Sequence, residues 1–82
     1  MTFGAVKYPK EIKVFGKNIK KLRKAAGLTQ QALADDANVS RKTIQRIENG
    51  EYVISIETIF GLACALDTEV SELFLPVKLN CR

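Results

Sequence analysis

Histidine and tryptophan are absent from this 82-residue chain, and cysteine occurs only at positions 64 and 81. Histidine is the commonest metal ligand and acid–base catalyst, and the two cysteines lack the CxxC spacing of a metal site. The sequence also contains no nucleophile–base set. It therefore disfavours an enzyme, and it predicts neither a metal ion nor a cofactor.

Long apolar runs are missing as well. A membrane-spanning helix needs about 18 or more consecutive apolar residues, and residues 1–13 contain no apolar stretch long enough for a signal peptide. We therefore expect one small cytoplasmic domain with no membrane partner. In a reducing compartment, Cys64 and Cys81 are expected to be free thiols rather than a disulfide.

The charges are distributed unevenly along the chain. Residues 1–24 contain eight Lys or Arg and one acid, residues 25–50 are balanced, and residues 51–82 contain five acids and two basic residues. A basic N-terminal region and an acidic C-terminal region suit a protein that binds a polyanion with one of its surfaces. The alternative is that surplus lysine simply keeps a small domain in solution.

Residues 29–50 have the pattern of two short helices joined by a tight turn. Thr29 and Ser40 are suitable N-caps, and Asn38 tolerates the left-handed conformation that the corner needs. The pattern predicts a helix-turn-helix with helices at about 30–37 and 41–49. Its apolar positions follow helical spacing rather than strand alternation; they are Leu33, Ala34, Ala37, Val39, Ile44 and Ile47.

Helical patterns also flank this unit. A first helix is predicted from Val14 to Ala26, a fourth after the cap Ser55, and a short fifth at about residues 70–74. The expected fold is all-α, a compact five-helix domain at 14–74. An N-terminal arm at 1–13, either basic and disordered or a short strand, and an extended tail at 75–82 complete it. The predicted core stripe of the fourth helix is Ile56, Ile59, Leu62, Ala63 and Leu66.

Several residue groups match one known family in their order and spacing. They are Ile19–Arg23, Gly27–Gln30, Leu33–Ala34, Val39–Ser40, Ile44, Ile47–Gly50, Ser55–Ile59, Ala63, Ala65–Leu66 and Glu72–Phe74. Through these residues the chain resembles the Cro and lambda-repressor-like (Xre-type) helix-turn-helix family over roughly residues 15–74. This resemblance implies a five-helix DNA-binding domain.

The outer face of the second helix of the motif is predicted to contact DNA. In helix-turn-helix docking, the first residues of this recognition helix meet base edges in the major groove. Arg41, Lys42 and Arg46 are expected to contact bases, although each could instead contact phosphate. The full set of predicted DNA-binding residues is Thr29, Gln30, Ser40, Arg41, Lys42, Thr43, Gln45, Arg46, Asn49 and Tyr52.

The family resemblance also implies an ion pair between Arg23 and Glu48, which would join the first helix to the end of the recognition helix. The loop after Gly50 departs from the family pattern because Ile54 stands where a proline is common. That departure leaves the phosphate contact expected from Tyr52 less firmly supported.

The predicted function is a sequence-specific transcriptional regulator that binds a pseudo-palindromic operator as a homodimer. The alternative is an antitoxin that binds a protein toxin and represses its own operon, with residues 75–79 as a partner-binding arm. The small outer residues of the fourth helix suggest a dimer contact, a mildly apolar surface being the alternative. The predicted dimer residues are Phe60, Gly61, Cys64, Phe74 and Leu75.

Overall fold

The computed structural model describes residues 8–51 and 54–79, and the regular secondary structure in those ranges is entirely helical. The prediction of an all-α, five-helix fold is confirmed. None of the described helices is long and apolar enough to cross a membrane. The helices are α1 (Pro9–Ala25), α2 (Gln30–Ala37), α3 (Arg41–Glu48), α4 (Ile56–Ala65) and α5 (Val70–Leu73).

The first helix begins earlier than the sequence predicted. The interpretation of residues 1–13 as an arm is wrong for residues 9–13, which form the start of α1. Pro9 occupies the first helical position, where its fixed φ suits a helix and its missing N–H has no intrahelical partner to lose. Glu11 in the first turn also complements the helix dipole. Residues 1–7 lie outside the described ranges.

The local signals of the helix-turn-helix are all present. Thr29 Oγ1 accepts the Ala32 N–H at 3.0 Å, and Ser40 Oγ accepts the Thr43 N–H at 3.1 Å. Asn38 ends α2 with φ of 61°, in the left-handed region that asparagine tolerates. The caps and the corner predicted from the sequence are confirmed.

The core lies between α1, α2, α3 and α4 and is closed by α5. Its fully buried large side chains are Ile19, Leu33, Ile44, Ile47, Leu62 and Leu73. Ile56 was predicted to belong to this core, but it is 68% exposed. The prediction is wrong because Ile56 is the first residue of α4, whereas the buried residues of α4 lie in its later turns.

Two glycines allow helices to cross at close range. A Cβ on Gly16 of α1 would collide with the carbonyl oxygen of Ile47 in α3. A Cβ on Gly61 of α4 would lie 2.9 Å from the carbonyl oxygen of Ala37 in α2. Gly61 was assigned to an outer face, and this placement is wrong, since Gly61 packs against α2 within the same chain.

The C-terminal residues fold back onto α1. Asn18 Nδ2 donates to the carbonyl oxygens of Glu72 and Leu73, both at 2.8 Å, and so binds the end of α5. The Phe15 and Phe74 rings lie 4.9 Å apart. Val77 packs against the core. The predicted extended tail at 75–82 is wrong for residues 75 and 76, which belong to a turn, and residues 77–79 have no regular secondary structure. Residues 80–82 lie outside the described ranges.

Candidate nucleic-acid interface

A buried ion pair joins α1 to the C-terminal end of α3. Arg23 Nε donates to Glu48 Oε2 at 2.7 Å and Arg23 Nη2 donates to Glu48 Oε1 at 3.2 Å. The exposed fractions of Arg23 and Glu48 are only 8% and 7%. The ion pair that the family resemblance implied is present. A bidentate charged contact of this kind adds geometric specificity as well as stabilising energy.

Two further groups complete the network around this pair. Arg23 Nη1 donates to the carbonyl oxygen of Leu28 at 2.9 Å, and Gln30 Nε2 donates to Glu48 Oε1 at 3.1 Å. The network therefore connects α1, the start of α2 and the end of α3. The relative position of the two motif helices is held by hydrogen bonds as well as by apolar packing.

The N-terminal end of α2 opens onto a shallow depression of about 630 Å³. The first backbone N–H groups of a helix have no intrahelical acceptor and carry the positive end of its dipole. With the exposed Arg41 side chain beside them, these N–H groups suit an anionic oxygen such as a phosphate. The depression is lined by Arg23, Thr29, Gln30, Gln31 and Arg41.

The outer face of α3 is basic. Arg41, Lys42 and Arg46 are exposed, while Ile44 and Ile47 are buried beneath them. The acidic residue of α3, Glu48, adds no exposed negative charge to this face, because it is buried in the ion pair with Arg23.

The other predicted DNA contacts have more varied positions. The Ser40 and Thr43 hydroxyls lie 2.9 Å apart and hydrogen-bond to each other, which leaves each with less capacity for an external partner. Gln45 is half-buried on α3, and Asn49 is exposed where α3 ends. Tyr52 lies outside the described residues.

The predicted dimer residues divide into two groups. Phe60 is 56% exposed and Cys64 is an exposed free thiol on the same side of α4, and with Ile56 they follow a spacing of four residues. Leu75 is 62% exposed, and Phe74 is exposed although its ring also contacts Phe15. Gly61 does not belong with them because it faces α2. Cys81 lies outside the described residues.

Sequence analysis missed three residues that shape this region. Gly16 allows α1 to approach the end of α3, Asn18 binds the end of α5, and Lys13 lies against Gly50. The signal for Gly16 was available, since a glycine inside a helical pattern costs stability and usually has a packing reason. No local pattern identifies Asn18 or Lys13, since their partners are distant in sequence.

Comparisons with known proteins agree with the helix-turn-helix fold. The model of the helix-turn-helix family HTH_3 matches residues 19–73, more than half of the chain. The competence pilus inhibition repressor of Acinetobacter baylyi is 40% identical over 60 residues, covering 73% of this chain and 54% of the relative. Antitoxin PezA of Streptococcus pneumoniae serotype 4 is 46% identical over 46 residues, covering 56% of this chain and 29% of the relative.

A solved structure shows the same fold over most of the chain. The restriction-modification controller protein C.AhdI of Aeromonas hydrophila superposes with a TM-score of 0.78 at 37% identity. The match covers 79% of this chain and 98% of that protein. By contrast, the chain spans about half or less of the length of the two curated relatives above.

Proposed function

Because this chain belongs to the helix-turn-helix family HTH_3, we propose that it is a transcriptional regulator that binds duplex DNA through α2 and α3. The observation that carries the proposal is the outer face of α3. Three cationic side chains are exposed there, and α3 is fixed from behind by the buried Arg23–Glu48 pair. A helix held in place in this way, with exposed cations in its first and last turns, suits major-groove binding.

The proposed contacts divide by chemistry. Arg41, Lys42 and Arg46 contact base edges, where Arg can donate to both O6 and N7 of guanine. The N-terminal end of α2, with Thr29 and Gln30, binds a phosphate that fixes the register of the protein on the duplex. Ser40, Thr43, Gln45, Asn49 and Tyr52 complete the proposed interface.

The proposed functional unit is a homodimer on a pseudo-palindromic operator. A single short recognition helix offers too little contact for the affinities typical of specific binding. Two-fold pairing through the exposed side of α4, with Phe60 and Cys64, would place two copies of α3 in successive major grooves. Phe74 and Leu75 are the other proposed dimer contacts.

Selection of bound duplexes from a random DNA pool tests the function. Enrichment of an inverted repeat, with half-site centres about one helical turn apart, is the expected result. Failure of folded protein to enrich any sequence would contradict specific DNA binding by the isolated chain.

The base contact of Arg46 is tested separately. Arg46→Ala should weaken binding to the selected duplex by roughly 1–3 kcal/mol and relax preference at one position. Measurement of affinity for the selected duplex and for an unrelated duplex decides the role. Equal losses on both would identify a phosphate contact instead, and a change in melting temperature would indicate a structural effect.

The second candidate function is an antitoxin that also represses its own operon. It is favoured by the exposed Leu75 and Leu79 side chains, which offer apolar surface beyond the DNA-binding helices. Stable co-purification with a second small protein would support it. Operator selection by the chain alone, with no co-purifying partner, would favour the independent regulator.

A further inference from the structure

The exposed side of α1 is a lysine ridge. It consists of Lys10, Lys13, Lys17, Lys20, Lys21 and Lys24, all exposed. In residues 8–51 and 54–79, the one contact within 4.0 Å between a basic side chain and a carboxylate is Arg23–Glu48, so no lysine of the ridge is paired there. Like charges at helical spacing of four destabilise a helix. The ridge therefore destabilises α1, and the packing of α1 against the core gives no reason for these lysines.

One edge of the ridge borders the proposed DNA-binding surface. The line of α1 that contacts α3 passes through Gly16, which lies against Ile47 and Glu48, and through Arg23, which bonds to Glu48. At 100° per residue, Lys20 and Lys13 lie only about 40° and 60° around the helix from Gly16, both on the same side.

Lys13 lies directly against Gly50, and this contact places it next to the end of α3. A Cβ on Gly50 would lie 2.6 Å from Lys13 Cγ and 3.0 Å from Lys13 Cα. Gly50 follows Asn49, the exposed residue at the end of α3. The Lys13 side chain therefore starts beside the end of the proposed recognition helix.

The opposite edge of the ridge lies elsewhere. Lys17 and Lys21 line a cavity of about 250 Å³ together with Val14, Asn18 and Pro76, on the side of α1 where the C-terminal residues fold back. They lie about 100° and 140° around α1 from Gly16. The ridge thus has an edge beside α3 and an edge beside the tail.

We propose that Lys13 and Lys20 bind phosphates of the duplex held by α2 and α3, outside the base pairs that α3 contacts. This inference rests on the proposed function. The two lysines are seven residues apart and so extend the interface along roughly 10 Å of α1. Lysine serves as a mobile point charge for phosphate and selects no base. Lys13 and Lys20 thus contribute affinity for DNA that does not depend on the base sequence.

Paired double variants of the full chain test the proposal. Lys13→Gln with Lys20→Gln is compared with Lys17→Gln with Lys21→Gln, which removes the same charge from the same helix. Glutamine keeps the Cγ that packs against Gly50, and thermal melting checks that both variants fold. Binding constants are measured over a range of salt concentrations on the selected duplex and on a random duplex of about three helical turns.

The slope of log K against log salt concentration is the quantity that tests the proposal. Each lost phosphate contact lowers the slope of log K against log salt by about 0.9, so the Lys13/Lys20 variant should lose about 2 units per bound protomer. Its affinity should fall by the same factor on both duplexes. The Lys17/Lys21 variant should lose less than about half of that slope, and Lys13→Arg with Lys20→Arg should keep the wild-type slope.

Two outcomes would overturn the inference in distinguishable ways. If wild-type protein binds DNA but the two glutamine variants lose the same slope, the lysines act only through net charge and the proposed function stands. If wild-type protein binds neither duplex, the proposed function fails and the lysine contacts fail with it.

Discussion

The two sides of this molecule differ in the kind of group that the chain has to cover or pair, which is buried charge on one side and apolar surface on the other. On the side formed by α2, α3 and the adjoining edge of α1, the two buried charged residues are paired with each other and bonded to neighbours. On the side formed by α4 and α5, large apolar side chains remain exposed, among them Ile56, Phe60 and Leu75.

This difference indicates what each side still requires. A paired and buried charge network needs no partner to be stable, so the α2–α3 side is preorganised before any ligand binds. Ile56 and Phe60, at a spacing of four residues, leave 68% and 56% of their surface uncovered by the described chain. This apolar surface becomes buried only when another surface covers it, which is why we propose the α4 side as the dimer contact.

The largest expected effect comes from breaking the buried pair on the first side. Glu48→Ala leaves Arg23 buried without its carboxylate and removes the acceptor of Gln30, so unfolding free energy should fall by about 3–5 kcal/mol. Chemical denaturation measures this loss. Replacing both partners, with Arg23→Met and Glu48→Leu, should recover most of it because no unpaired charge remains.

A loss below about 1 kcal/mol for Glu48→Ala would show that water replaces the carboxylate and that the network does not hold α3. Gln30→Ala is a useful control, since it removes one hydrogen bond and leaves the ion pair intact.

An intermediate effect is expected where α1 crosses α3. Gly16→Ala forces a methyl group into the Ile47 carbonyl oxygen, and overpacking of this kind costs about 1–3 kcal/mol. Thermal melting of Gly16→Ala and of Gly61→Ala compares the two helix crossings. Alanine normally stabilises a helix relative to glycine by about 0.5–1 kcal/mol, so a rise in Tm at Gly16 would refute the close approach.

The smallest effect on folding, and the sharpest on assembly, is expected on the α4 side. Phe60→Glu should raise the dimer dissociation constant at least about tenfold because it places a charge in a proposed apolar contact. The unfolding free energy of the monomer should change by no more than about 0.5 kcal/mol. Analytical ultracentrifugation over a concentration series measures the first quantity.

Leu79→Glu provides the matched control for Phe60→Glu, since Leu79 is similarly exposed but lies in the C-terminal segment. A wild-type chain that stays monomeric at every concentration would remove the basis for a dimer on this side. An equal effect of both substitutions would extend the contact over α4 and the C-terminal segment, and a larger effect of Leu79→Glu would move it away from α4.

Much of the fold followed from signals within one or two helical turns. Thr29, Asn38 and Ser40 determine where the motif helices begin and turn, because a cap or a left-handed residue acts on its immediate neighbours. The limits of α2 agree with the prediction, and α3 ends one residue earlier than predicted. Helix α1 begins at Pro9, five residues before the predicted start at Val14, because the first helical turn accepts proline.

The candidate site was predictable to a lesser extent. The exposed cations of α3 follow from the burial of Ile44 and Ile47 on the opposite face, which helical periodicity alone indicates. The Arg23–Glu48 pair came from family resemblance, since nothing local connects two residues 25 positions apart. The roles of the individual side chains toward DNA stay predictions.

The sequence by itself determined the helices, their caps, the tight turn and the basic character of the α1 and α3 faces, because each depends on residues only a few positions apart. Only the tertiary structure decided which faces meet. It brought helices into close contact at Gly16 and Gly61, left Ile56 exposed to solvent, and placed Lys13 beside the end of α3 but Lys17 and Lys21 beside the C-terminal segment. Periodicity defines the faces of a helix, whereas crossing geometry decides which neighbour covers each one.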